Sequence, residues 1–532
     1  MERWSSQVLP QSKEFLNNYS EMAVVIEKLN EELQSRLFQG PQHTIDRYKK
    51  NGKLLARERI QLLIDPDTPF LEIMPLCGCR ETEDVTSVVG IGIVSGVECA
   101  ISANVPTIKG GAINEVSGRK SGRMNEIAKV NKLPMILLVE TAGANLTEQS
   151  KVFHHGGALF KEIARRSKLG IPTISVVFGS STAGGAYMPG MSDYVVMVKK
   201  QAKAFLAGPP LVHMATGEII DDETLGGAEM HSTKSGLSDY LAEDEHHAIY
   251  ITRQIVQHLN FTKETPLPKE YYLPVEEPFY NPDEILGILN PDLKIGFDVR
   301  EIIARIVDGS CFHEWKPKYG STLVCCWANI HGFKVGILAN NGVIFSDTAN
   351  KGAHFIQICD KRAIPLLFLQ NITGFMVGSK YEHEGIIKHG SKLINAVSNA
   401  AVPAITIIIG ASYGAGNYAM CGRSYEPRFL FAWPHSKVAV MGSEQLVGVL
   451  LTVNKQAAER ANRKFDQKQA DILAKQFKQQ VDAESESFHV SGLGLDDGII
   501  DPRDTRDVLG ICLSIIYNTT IKSGSSYGLS RM

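Results

Sequence analysis

Lys120-Ser-Gly-Arg-Met-Asn-Glu-Ile-Ala128 leads through Leu133-Pro134 into Met135-Ile-Leu-Leu-Val139. The second half repeats this as Lys351-Gly-Ala-His-Phe-Ile-Gln-Ile-Cys359, leading through Ile364-Pro365 into Leu366-Leu-Phe-Leu369. Both copies run 14 residues from lysine to proline, and they lie 231 residues apart (351 minus 120). The same interval relates Ile171-Pro172-Thr-Ile-Ser-Val-Val177 to Val402-Pro403-Ala-Ile-Thr-Ile-Ile408. It also sets Gly185 against Gly416 and Tyr187 against Tyr418. Upstream, Gly96 and Ala103-Asn104 match Gly332 and Ala339-Asn340 at a slightly different interval. Periods of about 20–50 residues indicate a solenoid. A single duplication of this size indicates two domains of one fold.

Within each copy a helical pattern (Met124, Ile127 and Ala128 on one face) meets a proline and then a continuous apolar run. Such runs alternating with helices are buried strands of an α/β architecture. Each run ends in a polar, glycine-containing turn, Glu140-Thr-Ala-Gly143-Ala144-Asn145 or Asn371-Ile-Thr-Gly374-Phe375. Ligands gather at such strand ends. Between the halves, Thr265 to Pro282 holds five prolines and reads as a stiff extended connector. The expected organisation is a first domain over 1–265 with a helical arm at its start, a linker over 266–290 and a second domain over 291–532. Lys455 to Gln480 reads as one long helix.

Composition narrows the function. With 55 basic and 58 acidic residues the net charge is −3, which gives no electrostatic footing for nucleic acid. The nine cysteines show no paired CxxC spacing, so buried reduced thiols are the reading and no metal site is expected. The opening Met1-Glu-Arg-Trp lacks a following apolar region, and Glu14, Glu21 and Glu27 argue against an acid-poor transit peptide. No apolar run reaches the length of a membrane span of about 18 residues. The expected location is cytoplasmic, or the mitochondrial matrix for a processed form.

Two small-residue turns stand at matched places: Gly179-Ser-Ser-Thr-Ala183-Gly184-Gly185-Ala-Tyr187 and Gly410-Ala-Ser-Tyr-Gly414-Ala415-Gly416-Asn-Tyr418. Each follows an apolar strand and precedes a helical stretch. Small residues there let backbone N–H groups approach a ligand at a helix start that favours negative charge. A pair of such donors makes an oxyanion hole, and two pairs suit a reaction with two enolate-like species.

These turns, with Phe205-Leu-Ala-Gly-Pro-Pro-Leu-Val212, Leu225-Gly-Gly-Ala228, Ser235-Gly236, Gln370-Asn-Ile-Thr-Gly-Phe-Met-Val-Gly378 and Gly498-Ile-Ile-Asp-Pro-Arg-Asp-Thr-Arg506, resemble the carboxyltransferase beta subunits of biotin-dependent acyl-CoA carboxylases. The resemblance runs colinearly over about residues 25–520 and is nearest the methylcrotonyl-CoA/geranyl-CoA branch. It implies two duplicated crotonase-like ββα-superhelix domains. It further implies a beta hexamer, with active sites between the N half of one subunit and the C half of a neighbour, and a biotin-carrying alpha partner. The implied chemistry is CO2 transfer from carboxybiotin to an acyl-CoA. The biotin ring supplies the base, so no Ser/His/Asp set is needed, and no cofactor is bound covalently here.

By that resemblance Gly184 and Gly185 hold the thioester oxyanion, and Ala415 and Gly416 the biotin oxygen. Ala183, Gly143, Ala144, Tyr187, Phe375 and Tyr418 line the two places. Lys120 and Arg123 fall where relatives meet CoA phosphates, although a solvated helix face is the simpler account. His154-His155-Gly156-Gly157 places a glycine where the methylcrotonyl type carries phenylalanine. This implies a deeper acyl pocket, weighed against a plain loop glycine. Glu140-Thr141 departs from the family's usual pair, with no role apparent from sequence. Three other readings stay open: a propionyl- or acetyl-CoA carboxylase subunit, a decarboxylase subunit of the same fold, and a non-catalytic paralogue. A single-domain crotonase hydratase fits less well, because the turn is doubled.

Overall fold

The computed structural model describes residues 2–80, 85–272, 274–461, 467–524 and 528–531. It divides into two compact units, one of residues Glu32–Glu264 and one of Thr265–Met532 together with Met1–Glu31. Each unit contains one mixed sheet, and the two sheets are built alike. In the first, an antiparallel hairpin (Ser87–Val94 and Val97–Asn104) leads into parallel strands Met135–Thr141, Thr173–Thr182 and Tyr194–Val198. In the second, the hairpin is Leu323–Ile330 and Phe333–Asn340, and the parallel strands are Leu366–Ile372, Ala404–Tyr413 and Phe429–Ala432. The crossover helices Glu115–Val130 and Ser346–Lys361 match as well. This is the duplicated crotonase-like architecture that the sequence implies.

Burial explains the apolar runs. Met135–Thr141 is buried at every position, as a strand inside a covered parallel sheet must be. The helix Glu115–Val130 turns Val116, Met124, Ile127 and Ala128 inward, which is the periodicity visible in the sequence.

The hairpin tips share one device. Ser95-Gly96 and His331-Gly332 have φ of 48° and 79° in both copies, the left-handed pair of a tight hairpin turn. The Asp65 carboxylate accepts from the Ser95 and Gly96 N–H groups at 2.8 and 2.7 Å and pairs with Arg253 at 2.7 Å. Asp308 accepts from His331 and Gly332 at 2.9 and 2.8 Å and pairs with Arg506 at 2.7 Å.

Two expectations change. The sequence groups the leading helical arm with the first half, but helix Lys13–Ser35 starts on the unit of the second half. Phe15 fills the space beside Gly287, Asn18 donates to the Gly287 carbonyl, and Tyr19 donates to Asp283. Glu2-Arg3 adds an edge strand to Cys311–Glu314. The physical reason is shape: a Cβ at Gly287 would lie 2.3 Å from the Phe15 ring, so the pair fits as knob and hole. In place of one helix over Lys455–Gln480 stand two, Ser443–Arg460 and Gln467–Ser485; residues 462–466 lie outside the described residues.

Burial works to raise the Asp65 pKa, yet the two N–H donors and Arg253 hold it below the usual carboxylate range. A depressed carboxylate stabilises the fold above its unfolded pKa and loses that contribution as pH falls through the folded value. Asp65→Asn should cost about 1–3 kcal/mol at pH 7. In denaturant titrations the gap to wild type should close as pH falls below about 4.

Candidate active site: two glycine turns on duplicated strands

The turns form where neighbouring parallel strands change register. Met135 to Val139 pair in step with Thr173 to Val177, and then Thr141 faces Ser181. The second unit repeats the shift: Leu366 to Gln370 pair with Ala404 to Ile408, and then Ile372 faces Ser412. The longer strand of each pair overshoots and curls into its glycine turn. Ala183–Ala186 is a single 3-10 turn that begins with Ala183 at a φ of 52°, and Gly414 at a φ of 56° opens helix Ala415–Ala419. Ala183, Gly184 and Ala415 are exposed, Gly185 and Gly416 are buried, and Tyr187 and Tyr418 are each 47% exposed.

Gly185 and Gly416 are glycines because the preceding strand end presses on them. A Cβ at Gly185 would lie 2.8 Å from Thr141 Cγ2, and one at Gly416 would lie 2.6 Å from Ile372 Cγ1. Side-chain bonds fix the turns further. Ser181 Oγ donates to the Gly185 carbonyl at 2.9 Å. In the second unit Asn417 donates to Ser412 Oγ at 2.8 Å, Ser412 donates to Gln370 Oε1 at 2.6 Å, and Gln370 donates to the Met420 carbonyl at 2.7 Å.

The strand that ends beside each turn supplies another donor. Ile113 bridges Ala144 and Ile344 bridges Phe375, again 231 residues apart in both members. The bridges use the carbonyls of Gly143 and Gly374 and the N–H groups of Asn145 and Met376. Ala144 and Phe375 therefore turn their own N–H groups the other way, and neither has an acceptor among the described residues. Gly143 packs against the Thr182 carbonyl, so Ala144 sits next to the first turn, as Gly374 sits next to Gly416. Each unit thus joins a strand-end N–H to the orphan N–H groups at the start of a helical turn. That pairing is what an oxyanion requires.

Residues 47–526 match the carboxyl transferase domain. The chain belongs to the carboxyl transferase family. It is 54% identical over 514 residues to a Mycobacterium tuberculosis protein named a probable biotin-dependent acyl-coenzyme A carboxylase beta2 subunit, covering 96% of each chain. It is 46% identical to a probable mitochondrial methylcrotonoyl-CoA carboxylase beta chain of Drosophila melanogaster, covering 99% of this chain and 95% of that one. The crystal structure of the Pseudomonas aeruginosa geranyl-CoA carboxylase beta subunit superposes with a TM-score of 0.90 at 42% identity, covering all of both chains. The protein is a carboxyltransferase beta subunit of the biotin-dependent acyl-CoA carboxylase kind.

Within this carboxyltransferase the remaining candidates divide. Phe160 stands edge-on to Tyr187 at 5.6 Å and would touch a Cβ at Gly184 at 3.5 Å, so both rings border the first turn. Tyr418 lies 5.9 Å from Tyr425, and the Phe375 ring rests on Gly390. Gly156 is not in a loop: it lies inside helix Gln149–Lys168, and a Cβ there would meet nothing within 4 Å. Lys120 is not on a solvated helix face, being 1% exposed, whereas Arg123 pairs with Glu126 at 2.8 Å.

Sequence gives Glu140 no role, but its side chain is the centre of a buried ionic cluster. Arg59 spans Glu245 at 2.8 Å through two nitrogens and Glu140 at 3.0 Å, while Tyr48 and Lys53 also donate to Glu140. Burial acts to raise the Glu140 pKa, and the Arg59 and Lys53 charges overcome it and hold the pKa low. No local signal joins positions 59, 140 and 245.

Gly185→Ala should displace the turn against Thr141 and reduce carboxyl transfer about a hundredfold. Thr141→Ser removes the clashing methyl and keeps the hydroxyl that donates to the Gly111 carbonyl at 2.7 Å. The double variant should recover most of the rate in a transfer assay.

Proposed function

We propose that this subunit carboxylates a 3-methyl-branched α,β-unsaturated acyl-CoA, methylcrotonyl-CoA or geranyl-CoA. The acyl-CoA is held on the Glu32–Glu264 unit, and biotin on the unit of the second half. The observation that carries the reading is the doubled donor pair: Ala144 N–H beside Gly184-Gly185, and Phe375 N–H beside Ala415-Gly416. The first pair holds the thioester oxygen as negative charge develops on it. Each preorganised donor contributes on the order of 3 kcal/mol to the transition state. The second pair is backed by a neutral frame of Gln370, Ser412 and Asn417, which fits a ring oxygen that gains electron density. Carboxybiotin, carried by an alpha partner, supplies the CO2 and the proton acceptor. Ala183, Gly143 and Tyr187 border the thioester, Tyr418 borders the biotin ring, and Lys120 and Arg123 meet the CoA phosphates.

Relatives named for methylcrotonoyl-CoA and geranyl-CoA carboxylases favour the 3-methyl enoyl class over the propionyl or acetyl class. The open space beside Gly156 favours the longer chain. The working assembly is a beta hexamer in which the two half-sites meet across neighbouring subunits, in the cytoplasm or, for a processed form, the mitochondrial matrix. Among the described residues no helix is long and apolar enough to cross a membrane.

The test offers 3-methylcrotonyl-, geranyl-, propionyl- and acetyl-CoA in parallel to the complex with its alpha partner and labelled bicarbonate. Label should enter the 3-methyl enoyl substrates, and label in the saturated thioesters alone would overturn the class. Gly156→Phe should shift kcat/KM from geranyl- toward 3-methylcrotonyl-CoA by about tenfold or more, the scale of filling an apolar pocket. An unchanged ratio would remove the pocket argument.

A further inference from the structure

The two glycine turns are duplicates, yet they are wound differently. The first is a 3-10 turn over Ala183–Ala186, and the second is a helix over Ala415–Ala419. Part of the difference lies in the backbone. The residue matching Met420 in the first unit is Pro189 (420 minus 231), which has no N–H. Met420 N–H donates to the Gly416 carbonyl at 3.1 Å, whereas the Gly185 carbonyl takes Ser181 Oγ at 2.9 Å instead. Ser412, the counterpart of Ser181, is therefore free to serve another partner.

That partner is Gln370. It is fully buried on strand Leu366–Ile372, at the last residue before the register shift. Its Oε1 accepts from Ser412 Oγ at 2.6 Å and from Asn417 Nδ2 at 3.4 Å. Its Nε2 donates to the carbonyls of Met420 at 2.7 Å and Asn417 at 3.4 Å. Asn417 Nδ2 also donates to Ser412 Oγ at 2.8 Å, which orients the amide. A helix of five residues is too short to hold itself together, and its last carbonyls have no partners within it. Gln370 supplies them. A buried amide is costly unless it is bonded, so the side chain and the shape of the turn fix each other. The matching places in the first unit hold Val139 and Ala186 (370 and 417 minus 231), whose side chains make no such bond.

We propose that Gln370 is a positioning residue for carboxyl transfer, oriented by Ser412 and Asn417. It keeps the second turn helical and so sets the direction of the Ala415 and Gly416 N–H donors. Being fully buried, it acts through the carbonyls of the turn and not on a substrate. The role rests on the reading that these donors serve the biotin ring oxygen.

The experiment uses the complex with its alpha partner, run in reverse without nucleotide. A carboxylated acyl-CoA gives up CO2, free biotin takes it at a ring nitrogen, and the proton from that nitrogen goes to the acyl carbon. Gln370→Val copies the first unit. It should raise KM for biotin about tenfold, with a lower kcat, while KM for the acyl-CoA changes less than about twofold. Asn417→Ala copies Ala186 and does not threaten folding, and it should show the same split at severalfold. Equal increases in both KM values, or wild-type kinetics in both variants, overturn the proposal and leave the biotin reading standing. A split of the opposite sense, with KM raised for the acyl-CoA alone, overturns that reading and the proposal with it.

Discussion

The contact between each strand end and the turn that follows the next strand governs the rest of this structure. Thr141 meets Gly185, and Ile372 meets Gly416, at distances that leave no room for a Cβ. The contact exists because the paired strands change register one step earlier, after Val139 and after Gln370. That shift releases Ala144 and Phe375 from ladder bonding and brings their N–H groups beside the turn. A larger residue at either glycine would move both donors at once. The geometry that makes the site is therefore the same geometry that packs the sheet.

Duplication preserved that contact while the chemistry behind it diverged. Glu140 and Asn371 occupy equivalent positions, each closing over a strand glycine. A Cβ at Gly179 would lie 2.2 Å from Glu140, and one at Gly410 would lie 2.4 Å from Asn371. In the second unit the neutral amide accepts from the Ala411 N–H at 3.2 Å. In the first, a carboxylate in the same place gathers Arg59, Lys53 and Tyr48, and through Arg59 it reaches Glu245. Breaking one partner of such a cluster leaves the others buried and uncompensated, so its members depend on one another. The first unit thus has a stiff ionic support behind its turn, where the second has a chain of neutral hydrogen bonds.

The duplicated lysines show the same divergence. Lys120 and Lys351 are both buried on equivalent helices, and burial lowers both of their pKa values. Lys351 reaches the Gly320 carbonyl at 3.4 Å, whereas Lys120 faces a cavity rich in donors. The same helix position thus sits under a backbone carbonyl in one copy and against a donor-lined cavity in the other.

The amino-acid sequence by itself determined the duplication, the buried strands, both glycine turns and the family. Each of these is written in short-range periodicity, in spacing, or in runs of small residues that only a close backbone approach requires. The tertiary structure decided the rest. It placed the arm on the second unit because Phe15 fits the gap at Gly287, a match between residues far apart in the chain. It put Gly156 inside a helix, buried Lys120, and joined Arg59, Glu140 and Glu245 into one cluster. A charged residue on a helical pattern reads as solvated from sequence alone, because local sequence records which faces are apolar. Which distant groups come to lie against a given face depends on how the elements pack.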